Sequence, residues 1–297
     1  NNIQPRNGLS WSLGGTRKTV IRSGAGIFHD KFLLGDLLAT RLISDPFWGT
    51  VFPSHANRPG QLRWFTIAGP PVATPAFFNW LRTGVYPSPS DPAIRLIGAT
   101  NFDRRNAQPY SFQASLEIEQ EITSRLVLTA NYLRVRALRL TAFRGNWNAI
   151  PTGTAPNGKP FYGGRLFPQY ALAAFYQYNS QSTYDGGTWG VRFRPSEALD
   201  VTAHYTFSKT IDLPINIALQ NIPEDPRNWN LDRAVSNQHV AHRFVLNFLA
   251  ATPHSWGILR GFKLSGIVRL ESPRYFTIST GADTNGDGNP RTDRPGR

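Results

Sequence analysis

Three short polar side chains near the end of the chain have the spacing that opens a calcium-binding loop. Asp283, Asn285 and Asp287, followed by Gly288, form the pattern Asp-x-Asn-x-Asp-Gly. Oxygen ligands at alternate positions suit Ca²⁺, and the glycine allows the sharp turn of such a loop. The acidic ligand of position twelve is missing, because Arg294 occupies that position and Asp293 lies one residue short. The pattern therefore indicates either an acidic turn without metal or a Ca²⁺ site, and no other cofactor is expected.

Two histidines, His239 and His242, form a second candidate metal pair. Residues three apart at the start of a strand point to different faces, and no third ligand lies nearby in the sequence. We therefore expect a structural or lumen-facing role for both.

Catalytic signatures are missing from the sequence. Serine, histidine and aspartate all occur, but no Gly-x-Ser-x-Gly elbow and no glycine-rich phosphate loop is found. We expect no catalytic residues and no enzyme activity. Any ligand contacts should come from aromatic side chains in long loops, such as Trp48, Trp64, Trp80, Trp147 and Trp229. The sequence does not indicate which of these would contact a ligand.

Composition narrows the class of protein. The 297 residues include no cysteine, which excludes disulfides and thiol ligands, and no methionine, which indicates a processed product or an internal piece. The polar start, residues 1–6, is not a signal peptide. No apolar run approaches the roughly 18 residues of a membrane helix, so any membrane span must consist of strands.

The chain is basic, with a formal net charge of +13. Such a charge suggests nucleic acid or an anionic membrane surface as a partner. The basic residues are scattered rather than gathered in one run, so we expect no dedicated nucleic-acid site.

The elements that would position these residues are amphipathic strands. Residues 199–207 alternate strictly, with Leu199, Val201 and Tyr205 on one face and Asp200 and Thr202 on the other. Successive strand residues point to opposite faces, so this stretch has one apolar and one polar face. The same pattern predicts eight strands, near residues 3–13, 19–29, 108–122, 126–136, 188–194, 199–208, 242–252 and 262–271, and the last could continue to Ser279.

The connections alternate between short and long. The long ones cover about 31–106, 137–181 and 212–241, and the first could hold a short helix over 33–42. Strands of about ten residues joined in this way are typical of a transmembrane β-barrel. We therefore predict an all-β fold, an antiparallel transmembrane β-barrel segment with short periplasmic turns and long extracellular loops. Tyr110, Phe112, Trp189 and Phe262 could form interfacial girdles.

Several stretches, taken together and in order, resemble the barrel of TonB-dependent outer-membrane receptors, especially the Oar-like group with a carboxypeptidase-regulatory-like N-terminal domain. They are residues 2–6 (NIQPR), 19–30 (TVIRSGAGIFHD), 109–113 (PYSFQ) running on to 119, 205–212 (YTFSKTID), 239–244 (HVAHRF), 264–267 (LSGI), 283–289 (DTNGDGN) and 293–295 (DRP).

This resemblance implies a place in the cell outer membrane, in contact with lipid and lipopolysaccharide. It also implies import of a large or scarce extracellular solute, driven by the inner-membrane TonB energy-coupling complex through a plug. Neither a plug nor an N-terminal regulatory domain is seen, and about eight strands are far fewer than the 22 of a plugged transporter. We therefore expect residues 1–297 to be part of a barrel. A secreted soluble β-rich carbohydrate-binding module and a basic nucleic-acid-binding β protein remain the alternatives.

Overall fold

The structure is a computed structural model. Trp48, Trp64, Trp80 and the predicted helix over 33–42 lie outside the residues that it describes. The described residues are 3–14, 18–31, 97–102, 107–145, 147–156, 158–166, 170–213, 223–252, 255, 257–287 and 292–295.

One antiparallel sheet dominates the described residues. Eight strands lie side by side in the order β1-β2-β4-β5-β10-β11-β13-β14, so each is hydrogen-bonded to the strand before it and after it along this path. Their bounds are β1 Arg6–Leu13, β2 Thr19–His29, β4 Tyr110–Thr123, β5 Leu126–Arg144, β10 Tyr170–Ser196, β11 Leu199–Asp212, β13 His242–Ala251 and β14 Lys263–Glu271.

Shorter elements lie in the long connections. Strand β3, Ile97–Phe102, pairs parallel with the start of β10, and β12, Ala234–Val235, pairs with the end of β11. Two small two-stranded sheets, β6–β9 and β7–β8, and two 3₁₀ helices complete the described elements. Their bounds are β6 Ala149–Ile150, β7 Gly153–Thr154, β8 Pro160–Phe161, β9 Gly164–Arg165, Trp229–Asp232 and Gly257–Leu259.

No helix in the described part of the chain combines the length and the apolar character needed to cross a bilayer.

The predicted eight-strand antiparallel arrangement is confirmed. Short connections join β1 to β2, β4 to β5, β10 to β11 and β13 to β14, and because paired strands are antiparallel these connections share one end of the sheet. We call this the turn end. The long connections leave from the opposite end, which we call the loop end.

Two strands run further than the sequence predicted. Strand β5 continues past residue 136 to Arg144, and β10 begins at Tyr170 rather than near residue 188. Their pairing reaches Phe175 opposite Arg144, but its register shifts on both sides of Ser180. Arg139, with φ of 57°, interrupts β5 at the same level. At these irregularities the side chains that follow move to the opposite face of the sheet. The period-two alternation of apolar and polar residues that marks a strand is therefore interrupted there.

The apolar face of the sheet lies open. Its side chains come from every second position of each strand, and many are about half exposed, including Leu264 at 64%, Trp11 at 55% and Phe207 at 52%. A soluble sandwich would bury such a face against a second layer. An apolar face of this extent is typical of a sheet that meets lipid.

Aromatic rings end this apolar band toward the loop end. The ring centroids of Trp189 and Tyr205 lie 6.1 Å apart, and Tyr132 donates its hydroxyl to Asp185 at 2.6 Å. The next positions on the same face are charged, and Arg134 pairs with Asp185 at 3.2 Å. This change from apolar to aromatic to charged is the sequence of side chains expected at a membrane interface.

The other face carries ion pairs between neighbouring strands. Arg22 contacts Glu117 at 2.9 Å and Glu119 at 3.1 Å, linking β2 to β4. Arg243 contacts Glu271 at 2.6 Å, linking β13 to β14. Charged side chains in reach of water and of each other are suited to the wall of an aqueous lumen.

Candidate functional site

The described buried residues gather at the loop end rather than between the strands. They include Phe143, Ala149, Tyr162 and Tyr176, each at most 4% exposed. Around them pack the described residues of three segments, residues 147–166 without 157, 223–236, and 279–295 without 288–291, which we call the loop assembly. Within the described residues, this is the part of the molecule where buried side chains form a core.

Hydrogen bonds tie the three segments together. The backbone N–H of Tyr162 donates to the carbonyl of Asn285 at 2.6 Å, and the Tyr162 hydroxyl donates to Asp225 at 2.6 Å. Arg227 donates to the carbonyl of Ala149 at 2.9 Å. Burial and the neighbouring Asp225 carboxylate raise the pKa of Tyr162, so its hydroxyl stays protonated and keeps donating.

Two ion pairs lie across the same segments. Lys159 binds Glu224, and Arg294 binds Asp232. Glu224 also accepts the backbone N–H of Arg294 at 3.1 Å. Arg294, which replaces the closing acid of a calcium loop in the sequence, therefore serves to fix residues 223–236 to the end of the chain.

An acidic cluster forms the centre of the last segment. Asp283, Asp287 and Asp293 each place one carboxylate oxygen within 4.8 Å of the others. Asp287 and Asp293 are fully buried, whereas Asp283 is exposed. Three carboxylates this close repel one another unless a cation or protons offset their charge.

Asp293 has one engaged and one unengaged oxygen. Its Oδ1 accepts the Thr284 hydroxyl at 2.7 Å and the backbone N–H of Asn285 at 3.1 Å. Its Oδ2 is buried and has no hydrogen-bond donor. Burial is the largest cause of the raised pKa of Asp293, and the charge of Asp283 adds to it, while the Thr284 hydrogen bond opposes both.

The Asn285 side chain makes hydrogen bonds to two backbone groups, and its predicted role as a ligand stays a prediction. Its Oδ1 accepts the backbone N–H of Asp287 at 2.9 Å, and its Nδ2 donates to the carbonyl of Glu224 at 3.3 Å. The structure thus brings together two of the three predicted ligands, Asp283 and Asp287, and adds Asp293. Sequence spacing hinted at Asp293 only as an acid one residue too early.

Gly286 lets this segment pack closely. Its φ is +76°, a conformation that disfavours side chains, and an added Cβ would lie 2.9 Å from the ring of Phe161. The glycine therefore lets the acidic cluster lie against Phe161 and the carbonyl of Tyr162.

The two histidines make separate contacts. His239 is buried, accepts the backbone N–H of Thr210 at its Nδ1 at 3.2 Å, and stacks on Tyr275 with centroids 5.6 Å apart. His242 is exposed and hydrogen-bonds Tyr205 at 2.7 Å. The expected structural or lumen-facing role of the two histidines stays a prediction.

Of the loop tryptophans, Trp147 and Trp229 lie in the loop assembly. Trp147 is half-buried, and Trp229 donates its indole N–H to the carbonyl of Pro226 at 3.2 Å. Their predicted contact with a ligand stays a prediction.

Comparison with known proteins gives a family match over the whole length. A model of the family described as outer membrane beta barrel domain matches residues 1–297. No curated protein sequence matches significantly.

Three solved structures match most of this chain. The outer membrane transporter YddB from Escherichia coli shares 12% identity at a TM-score of 0.54, over 96% of this chain and 30% of YddB. The alcaligin outer membrane receptor FauA from Bordetella pertussis shares 13% at 0.38, over 91% and 29%. The FrpB iron transporter from Neisseria meningitidis, F3-3 variant, shares 7% at 0.44, over 90% and 26%. Of these, the YddB likeness carries weight, and for the fold alone. The chain spans about 30% of that transporter.

Proposed function

Because the chain belongs to the outer membrane beta barrel domain family, we propose that it forms part of the barrel of a TonB-dependent receptor that imports a large or scarce solute. The observation that carries this proposal is the sheet itself. It has eight strands in sequence order, an open apolar face, an opposite face with ion pairs, and long connections at one end. The protein lies in the outer membrane, and its fold is that of a barrel transporter or receptor.

The size of the sheet supports a larger parent barrel. Transporters with a plugged lumen have about 22 strands, and the eight main strands here would supply roughly a third of that wall. In the proposal, the parent protein supplies the remaining strands and the plug. The plug would contact the inner-membrane TonB energy-coupling complex.

The two faces then take separate roles. The apolar face would contact lipid and, near its charged margin at Arg134 and Asp185, lipopolysaccharide. The face with Arg22, Glu117 and Glu271 would line the lumen. The loop assembly would lie outside the cell, where Trp147 and Trp229 could meet the solute.

Two measurements on the parent protein test the proposal. In planar bilayers it should conduct little, since a plug fills a TonB-dependent barrel. In cells, photo-crosslinkers placed in its periplasmic segment should give an adduct with TonB. A constantly open channel with no TonB adduct would overturn the proposal and indicate a porin-like pore.

The alternatives have less support. A secreted carbohydrate-binding module would have to bury the apolar face that is open here, and the family match places the chain in the outer membrane. The absence of enzyme activity and of nucleic-acid binding remain predictions. Retention on DNA that falls steeply with salt would contradict the second.

A further inference from the structure

We propose that Asp283, Asp287 and Asp293 bind a calcium ion that fixes residues 279–295 to the rest of the loop assembly. The first support is geometric, since one oxygen of each carboxylate lies within 4.8 Å of the other two. Two of the three side chains are fully buried. This inference does not depend on what the barrel transports.

The second support is the unengaged oxygen of Asp293. Its Oδ2 is buried without a donor, whereas its Oδ1 accepts two hydrogen bonds that fix the carboxylate in place. A buried acceptor without a donor costs free energy, and a bound cation would satisfy it. The side chain is therefore held in position with one oxygen left for a ligand.

Two basic side chains of the described loop assembly have carboxylate partners outside the cluster. Lys159 binds Glu224, and Arg294 binds Asp232. The cluster is therefore flanked by ion pairs that are already formed.

Calcium fits this ligand set better than magnesium does. The three ligands lie outside the described helices and strands, and Ca²⁺ accepts irregular geometry with six to eight oxygens, whereas Mg²⁺ demands a near-ideal octahedron. Extracellular calcium modules bind with dissociation constants on the order of 10⁻⁴ to 10⁻³ M, and we expect that range here.

The expected consequence is a tighter loop assembly. Asn285, within the same loop, accepts the backbone N–H of Tyr162 and donates to the carbonyl of Glu224. A cation bound by Asp283 and Asp287, which flank Asn285 in the sequence, would therefore stabilise the contacts of Asn285 with the other two segments. Binding should slow protease cleavage across residues 279–295.

The test uses the full parent protein, purified in detergent, stripped with a chelator and titrated with CaCl₂. Calcium binding is measured by calorimetry, and loop protection is measured by limited proteolysis with MgCl₂ as the comparison. One calcium ion per chain should bind at this site, and CaCl₂ should slow cleavage across residues 279–295 more than MgCl₂ at equal concentration.

Two variants locate the site. Asp283→Asn changes an exposed side chain and should fold normally, and Asp293→Asn removes the buried charge. Each should weaken calcium binding by at least roughly 10- to 100-fold, the loss seen when a group that only supports a metal ligand is removed, because here a direct ligand is lost. Asp225→Asn is the matched control in the same assembly. It keeps an acceptor for Tyr162 and should bind calcium as the unaltered protein does.

Three results would contradict the proposed calcium site. Calcium bound equally by Asp283→Asn and the unaltered protein would place the ion elsewhere, for instance on copurified lipopolysaccharide, and overturn the proposal. Equal protection by MgCl₂ would also overturn the proposal. So would the absence of binding at 10 mM CaCl₂, a concentration about ten times the largest dissociation constant expected.

Discussion

At the residue scale, single side chains in the loop assembly have roles that their types alone do not reveal. Asn285 bridges two segments, and Arg294 fixes the end of the chain to Asp232. Gly286 and His239 show how backbone conformation and burial decide such roles, and each gives a prediction.

Gly286→Ala should loosen the loop assembly. The left-handed backbone costs alanine about 1–2 kcal/mol, and the new Cβ would also contact the Phe161 ring. Gly281→Ala is the control, since its φ is +73° but nothing lies within 4 Å of its Cβ position. Limited proteolysis of the folded protein should show faster cleavage across residues 279–295 in Gly286→Ala than in Gly281→Ala. Equal rates would mean that the Phe161 contact does not matter.

His239 should make the loop end less stable in mild acid. Burial, and then the positive charges of Lys209 and His242, lower the pKa of His239, so the folded state favours the neutral ring. Protonation at Nδ1 would also end the hydrogen bond from Thr210. Between the folded pKa and the unfolded value of about 6.5, the unfolded chain binds more protons, so stability falls as pH drops below about 6.5.

The measurement is unfolding of the protein and of His239→Gln at pH 7.5 and pH 5. The pH-dependent loss should be smaller in the variant, whose amide oxygen can still accept a hydrogen bond. Equal losses in the two proteins would assign the pH dependence to other groups.

At the element scale, each strand has two chemically distinct faces. On β13, Leu246 lies opposite Ala203 and Val268 on the apolar face, while Asn247 lies opposite Thr202 on the other. Adjacent residues of the strand thus face lipid and water, respectively. A matched pair of substitutions can test this.

Leu246→Arg should destabilise the parent barrel by about 2–4 kcal/mol, the cost of arginine on a lipid face near the bilayer midplane. Asn247→Arg should cost much less, because its side chain reaches water. Reversible urea unfolding in lipid vesicles gives both values. If both substitutions cost the same, the assignment of the two faces is wrong.

At the scale of the whole molecule, the usual arrangement of a soluble protein is inverted. Large apolar side chains are exposed along the strands, while the buried residues lie at the loop end. The sheet has two strands, β1 and β14, with a single neighbour each among the described residues. Unpaired edges are unfavourable in lipid, so we expect further strands of the parent protein to pair with them.

The sequence by itself determined the strands that cross the apolar band and the face that each residue takes. The reason is that the alternation of apolar and polar residues, with a period of two, is visible in the sequence of stretches such as residues 199–207. It also determined the alternation of short and long connections, and through it the arrangement of eight strands. Two members of the acidic cluster, Asp283 and Asp287, followed from local spacing alone.

Only the tertiary structure decided what lies beyond that band. The extensions of β5 to Arg144 and of β10 back to Tyr170 depend on their pairing with each other across bulges that erase the local pattern. Asp293 joins the cluster because its carboxylate accepts hydrogen bonds from Thr284 and Asn285, and the Asn285 side chain also donates to the carbonyl of Glu224 in another segment. These contacts join distant residues, and a local pattern does not record which distant residues will meet.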